Sequence, residues 1–397
     1  MNNKRTETRP LSLAARLWIA VDRLYPPCAN QVFFEGMGSF DPEQWKAAVT
    51  KASDANPGTR LVLRGALRSC RWIDSGVAPP IREIHGSGWD GQGSDGAPFL
   101  ESSFSPRQGP TCEVLLVHGN PARVAFRSHH AIMDGLGVAT WAEDVFRALR
   151  GEEPLGSEHL MTEYDLLNLQ KGNKSKPLPH QYIAPTGKAD GQETDMVWKR
   201  KTLTKKYPRL LIQLLLLAAQ EAWRHADGKV RFGIPVDLRY RQKNLRSTGN
   251  LANAIYMDID PTTTADQITA EIEKRLSSFS DGQLTWEDTV GNYVPVWLMC
   301  KGIRFEGSRS QRSGRYRLSG LISNGGRIDI DKFSCDDFKA ATLFGIPVAA
   351  PFIPFSMSLV GTKNGIEMLL RMPKNMSTDG RLEAALDTIA NSLQSIS

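Results

Sequence analysis

"SHHAIMDGLG", residues 128–137, sets two adjacent histidines ahead of an Asp-Gly pair in a chain of 397 residues that has seven histidines in all. Upstream, "CEVLLVHG" and "ARVAFRSHH" flank Asn120-Pro121. Both are β-branched and partly alternating, which predicts a hairpin whose second strand ends at the histidines. Downstream, Leu136, Val138, Ala142, Val145, Phe146 and Leu149 recur mostly at helical spacing, with Glu143, Asp144 and Arg147 between them. That pattern predicts a helix over 135–150. A histidine held where a strand ends and a helix begins can act as a general base, since its ordinary pKa lies near neutrality and packing can aim one ring nitrogen at a cleft. A solvated or core-satisfied pair would read the same way, so the pair alone leaves both roles open.

Working outward, the residues before the motif predict a first amphipathic helix, a strand at "QVFFEGMGSF" (31–40), and a helix from Asp41-Pro42 to about Asp54. "TRLVLRGALRSCRWID" reads as mostly extended. Residues 151–195, rich in Gly, Pro and Lys, read as a crossover. Beyond it come a helix near 205–225, strands at "VRFGIPVDLRYR" and "NAIYMDID", and helices at about 264–279 and near 285–300. "YRLSGLISNGG", "IPFSMSLVGT" and "GIEMLLRMP" read as strands, and "DGRLEAALDTIANSLQSI" as a closing helix. Strands and helices interleave throughout, the mark of a mixed α/β chain, and the length exceeds one ordinary core.

Hydrophobic residues are 41% and charged residues 23% of the chain, the balance of a folded, water-soluble protein. The longest apolar run, Leu210 to Ala219, is half a bilayer span and reads as a buried helix, so no membrane segment is expected. Arg16, Asp22 and Arg23 interrupt the first apolar stretch and no small-residue cleavage site follows, which points to a cytoplasmic protein. The five cysteines have no zinc-like spacing and read as reduced structural thiols. The net charge of +6 favours an anionic partner, whether nucleic acid, a coenzyme phosphate or an acidic protein. Nucleic acid is set aside, because no recognised binding motif occurs and aromatics do not interleave with the basic cluster beyond Tyr316.

His129-His130-Ala-Ile-Met-Asp134-Gly135 matches HHxxxDG and resembles the active-site motif of the chloramphenicol-acetyltransferase-like superfamily, which includes peptide-synthetase condensation domains, polyketide-associated acyltransferases, and alcohol and plant acyltransferases. Pro57-x-x-Arg60 is similar to a Pro-x-x-Arg of such domains. "GIPVDLRYRQKNLRSTGNLAN" resembles the second-half signature, Asp237-x-Arg239 followed by Gly249-Asn250, and "LISNGGRIDI" the Ser-Asn-x-Gly strand of several branches. The resemblance implies an α/β fold of α+β mixed sheets, in which two chloramphenicol-acetyltransferase-like halves form a V with a substrate tunnel between them. The first half, residues 1–155, would carry the motif; 156–195 would be a crossover linker and 196–397 the second half. It also implies acyl transfer from a thioester to an amine or alcohol, the thioester being carried on coenzyme A or on the phosphopantetheine arm of an acyl or peptidyl carrier protein. No metal and no tightly bound cofactor is expected.

On this resemblance His130 is the catalytic residue, a general base or a group that positions a neutral amine. His129 supports the turn, Asp134 caps the helix and pairs with Arg60, and Gly135 leaves clearance for substrate and permits an unusual backbone conformation. Candidate oxyanion donors are the N–H groups at the start of the 135–150 helix and Ser356; Ser323 and Asn324 are candidates for lining the tunnel. Asp237 and Arg239 are expected to pair and latch the halves, with Gly249 and Asn250 completing that motif. The basic stretch 301–317 is expected to be a loop that could meet an acidic carrier protein or coenzyme phosphates. The Asp-Phe-Gly-Trp of plant-type members is absent, and nothing resembles an adenylation domain or a carrier's phosphopantetheine serine. These features favour a free-standing condensation-type acyltransferase of specialised-metabolite biosynthesis, of the non-ribosomal peptide and antibiotic kind. A coenzyme A-dependent O- or N-acyltransferase is the alternative within the fold, and an inactive carrier-docking platform the alternative of another class. An epimerase-like use of the motif would need a second acid/base that the sequence does not identify.

Overall fold

In a computed structural model of the chain, the described residues are 8–167, 179–205, 207–278 and 293–396. They run β1 (Thr8–Pro10), α1 (Leu13–Leu24), β2 (Ala29–Gly38), α2 (Pro42–Ala55), β3 (Leu61–Arg64), β4 (Arg71–Asp74), β5 (Ile81–Ile84), β6 (Cys112–Val117), β7 (Ala122–His129), α3 (Gly135–Leu149) and α4 (Glu163–Leu167). There follow β8 (Met196–Leu203), α5 (Leu210–His225), β9 (Val230–Asp237), β10 (Ala252–Ile259), α6 (Ala265–Ser277), α7 (Val296–Ser313), β11 (Gly320–Arg327), β12 (Phe338–Ile346), β13 (Ser356–Gly361), β14 (Ile366–Pro373) and α8 (Arg381–Ile396). Local chemistry fixes several boundaries. Asp41 caps α2 by accepting from the Glu43 N–H, and Thr264 and Gln267 form a reciprocal capping box at α6.

A five-stranded sheet has the order β12-β2-β7-β6-β5 and a six-stranded sheet the order β10-β9-β11-β13-β14-β8; β1, β4 and β3 form a small third sheet. In β2 the side chains alternate between two surroundings. Phe34 enters the first core with Trp45, Phe126, Trp141 and Phe146, whereas Phe33 faces Trp89, Phe344, Trp198 and Leu369 in a cluster that joins the two large sheets. The second core gathers Leu214, Leu215, Phe232, Ile322, Met368 and Ile389.

Charged groups also join the sheets. Glu35 accepts from Arg123 Nε at 2.6 Å and from an Arg200 guanidinium nitrogen at 3.1 Å, and Arg200 stacks over the Phe344 ring. Arg200 Nε lies 3.6 Å from Glu367, which also accepts from Thr202 and Thr342.

Several expectations change. The basic stretch 301–317 is not a loop: most of it is α7. The helix expected near 285–300 falls partly outside the described residues. β12 belongs by pairing to the sheet of the first half, antiparallel to β2, and Ile330 and Phe333 enter the first core, so sheet membership does not follow the division at 155 and 195. The five cysteines are unbridged. Among the described residues no helix is long and apolar enough to cross a membrane.

Candidate active site

The hairpin β6–β7 ends at the histidines, and the chain turns there because His129 reaches back to its own loop. Buried His129 accepts the Ala131 N–H on Nδ1 at 3.0 Å, which places its proton on Nε2. That nitrogen lies 3.6 Å from an Asp22 carboxylate oxygen, whose partner oxygen accepts from the Cys28 N–H at 2.8 Å. His129 therefore ties the motif to α1.

His130 is held through its backbone from both sides. Its N–H donates to Cys28 at 2.9 Å, and its carbonyl accepts from the Asn250 amide at 2.9 Å. The ring is partly exposed and packs against Trp18 with centroids 4.2 Å apart. Asn30 Nδ2 lies 2.6 Å from the Met133 carbonyl and 2.6 Å from His130 Nδ1. The Met133 carbonyl needs a donor, so it fixes the orientation of the Asn30 amide and turns an N–H toward His130 Nδ1. Nδ1 is then an acceptor and the ring proton sits on Nε2. Burial pushes the His130 pKa down to about 4, outweighing the Met133 carbonyl and Asp134, which favour the charged form. The ring is neutral at pH 7.

Asp134 starts α3 as its N-cap, accepting from the Gly137 N–H at 2.7 Å. Its carboxylate also accepts from both terminal nitrogens of Arg239, at 3.0 and 3.1 Å, and from the Leu251 N–H at 2.8 Å. Arg239 in turn donates to the carbonyls of Ser247 and Gly249 and to Asp237 at 2.7 Å. The second-half signature thus grips the loop that carries His130. This grip needs a bare backbone: a Cβ on Gly137 would meet the Thr248 carbonyl oxygen at 2.5 Å.

Arg60 is not the partner of Asp134. It pairs with Asp74 at 2.6 Å and with Asp54, because β3 pairs with β4 and brings Asp74 beside it. Gly135 has no positive φ, and a Cβ there would meet open space, so no special backbone conformation requires a glycine at this position. Asp134 occupies the Gly137 N–H, which removes that group from the oxyanion candidates. Ser356 opens β13 directly opposite Arg371 of β14; it is buried, and its hydroxyl has no partner among the described residues. Ser323 is half-buried on β11. Asn324 is exposed, and its Oδ1 accepts from the Gly326 N–H, closing a turn at a bulge.

A cavity of about 230 Å³ is lined by Pro10, Leu11, Ser12, Arg16, Thr162, Tyr164 and Tyr293. A narrower one shares Pro10, Ser12 and Thr162 with it and reaches Ala131 and Asn250, both adjoining His130. The sequence reading missed Asn30, Trp18 and Gly137. Asn30 lies within a recognised strand with no motif of its own, whereas the glycine spacing Gly135-x-Gly137 was visible without its reason.

No family model matches this sequence, and no curated protein matches it. Solved structures do resemble it. The starter condensation domain of rhizomide synthetase RzmA, in complex with C8-CoA and Leu-SNAC, is 16% identical with a TM-score of 0.64, covering 98% of this chain and 94% of that one. The condensation domain of the Monacolin K polyketide synthase MokA is 11% identical with a TM-score of 0.64, covering 98% and 97%. Polyketide synthase associated protein 5 from Mycobacterium tuberculosis is 13% identical with a TM-score of 0.62, covering 100% and 99%. The chain has the condensation-domain fold, two lobes of mixed α/β structure.

Proposed function

We propose that this chain, having the condensation-domain fold, is an acyltransferase that moves an acyl group from the phosphopantetheine thioester of a carrier protein to an amine or alcohol. The observation that carries the reading is the His130 ring, neutral and partly exposed, with Asn30 against its Nδ1 and its backbone carbonyl held by Asn250. The acceptor nitrogen or oxygen attacks the thioester carbonyl, a C–N or C–O bond forms, the C–S bond breaks, and the acceptor's proton ends on the departing thiol. For His130 to take that proton through Nε2, its own proton must sit on Nδ1, with the Met133 carbonyl 3.2 Å away as acceptor and the Asn30 N–H turned aside. Asp134 and Arg239 are positioning residues that hold the loop. Ser356 is a candidate donor to the oxyanion.

A coenzyme A thioester is the second donor, favoured by the C8-CoA bound to the RzmA domain. The intact His130 geometry counts against a platform with no chemistry.

An intact-mass assay tests the reading, with one acyl group presented on a carrier protein and on coenzyme A to pooled amines and alcohols. Turnover from the carrier alone, lost in His130→Ala, supports the carrier-dependent enzyme; turnover from coenzyme A moves the donor to the second reading. Full turnover in His130→Ala would overturn the role of that ring, a general base typically being worth about two to four orders of magnitude.

A further inference from the structure

Away from the histidine loop, the far end of the same sheet gathers three metal-ligating side chains. β5 and β6 run parallel, with Ile84 opposite Val117, and the His118 N–H continues the ladder to the Ile84 carbonyl at 2.9 Å. The next residues along, His85 and His118, are therefore neighbours across the strands. Their rings stack with centroids 4.1 Å apart and planes 18° from parallel. Glu83, two residues before His85, projects to the same face of β5.

Both imidazoles converge on one oxygen: His118 Nε2 lies 3.0 Å and His85 Nε2 3.4 Å from Glu83 Oε2. A ligand atom from each of the three residues lies within 4.8 Å of the others. The ring nitrogen that each histidine turns toward Glu83 Oε2 is a potential metal ligand. Among the described residues the only ion-pair partners of Glu83 are these two rings. The arrangement is also partly fixed, since the His118 ring is held edge-on by Phe40 with centroids 5.4 Å apart, while His85 remains two-thirds exposed and free to adjust.

We propose that Glu83, His85 and His118 form a Zn²⁺ site with a solvent-facing fourth position. Two imidazoles and a carboxylate are a borderline donor set that suits Zn²⁺ and Co²⁺ over the hard cations Mg²⁺ and Ca²⁺. The ion would sit between the two rings and the carboxylate, and it would cross-link the short edge strand β5 to β6. The site is independent of the proposed acyl transfer. His118 adjoins the start of β7 and His130 follows its end, so the two are separated by roughly 25 Å along a strand rising ~3.3 Å per residue.

The test uses the untagged full-length protein stripped with EDTA and titrated with Zn²⁺ by calorimetry, and with Co²⁺ by visible absorption. The expected result is one ion per chain, tetrahedral Co²⁺ bands, and a melting temperature raised by Zn²⁺. His85→Ala, at an exposed position that does not threaten folding, should weaken binding by about 100-fold or more, beyond the ~10–100-fold lost with an outer partner of a ligand. Glu83→Gln should weaken it as well, and His225→Ala should leave it unchanged. Absence of saturable micromolar binding, or binding that survives His85→Ala, would overturn the proposal.

Discussion

At the residue scale the His130 ring carries a pH signature. Burial holds its pKa to about 4, whereas an unfolded chain binds a proton near 6.5. Between those values the unfolded state takes up a proton that the folded state refuses. Stability is therefore full above about pH 6.5 and falls as pH drops toward 4, by up to about 3 kcal/mol. His130→Ala should decline less steeply over this window, which urea midpoints measured from pH 7 to 4 would show; parallel declines would contradict the neutral ring. Asn30 decides which nitrogen carries the proton. Asn30→Asp replaces the N–H that faces Nδ1 with an acceptor and a negative charge, so the proton should move to Nδ1 and the pKa should rise. Nitrogen-15 spectra of labelled histidine distinguish the two tautomers, and an unchanged tautomer in Asn30→Asp would refute the assignment. The sequence made His130 legible through a spaced motif. It could not show Asn30, whose role comes from lying across a strand pair from Ser128, one residue before the motif histidines.

At the scale of elements, the N-terminus of α3 and the loop 247–251 form one unit through Asp134 and Arg239. Both side chains are buried, Arg239 at 6% exposure. Asp134→Ala leaves the guanidinium with the peripheral Asp237 as its one anionic partner among the described residues, beside the Ser247 and Gly249 carbonyls, and leaves the N–H groups of Gly137 and Leu251 without their acceptor. A cost of about 3–5 kcal/mol is expected. Arg60→Ala breaks pairs with Asp54 and Asp74, carboxylates at 69% and 29% exposure, and should cost nearer ~1 kcal/mol. Urea unfolding of the two variants checks the order, and the reverse order would restore Arg60 as the main support of the loop. The misread elements have physical causes. α7 buries Ile303, Gly307 and Ser310, a helical i, i+4, i+7 stripe in which two members are small and not apolar, so a hydrophobic pattern does not show it. β12 alternates as far as Ala340 and resumes after a register shift before Thr342, which breaks the period of two that marks a strand.

At the scale of the molecule, sheet order couples parts of the chain that sequence order separates. His85 and His118 lie 33 positions apart in the sequence and meet only because β5 and β6 are in parallel register, which is why no metal-ligand spacing is visible in the chain. The same logic makes the two halves interdependent. β12, from the C-terminal part, closes the edge of the first sheet against β2, while Ile330, Phe333, Phe338 and Leu343 fill the first core and Phe344 and Ile346 the cluster between the sheets. Fully burying a large apolar side chain contributes about 1.5–3 kcal/mol, so these six side chains together contribute about 10 kcal/mol or more. That is as large as the ~5–15 kcal/mol by which a typical domain is stable. A fragment of residues 1–195 should therefore not fold alone: it would expose the β2 edge, Phe33 and Phe34, and leave Glu35 without Arg200. Co-expressed with residues 196–397 it should recover a folded complex. Proton–nitrogen spectra and limited proteolysis of the fragment, alone and with its complement, provide the check. A dispersed, protease-resistant 1–195 would mean that the first sheet tolerates an open edge, and that the division at 195 is a folding boundary after all.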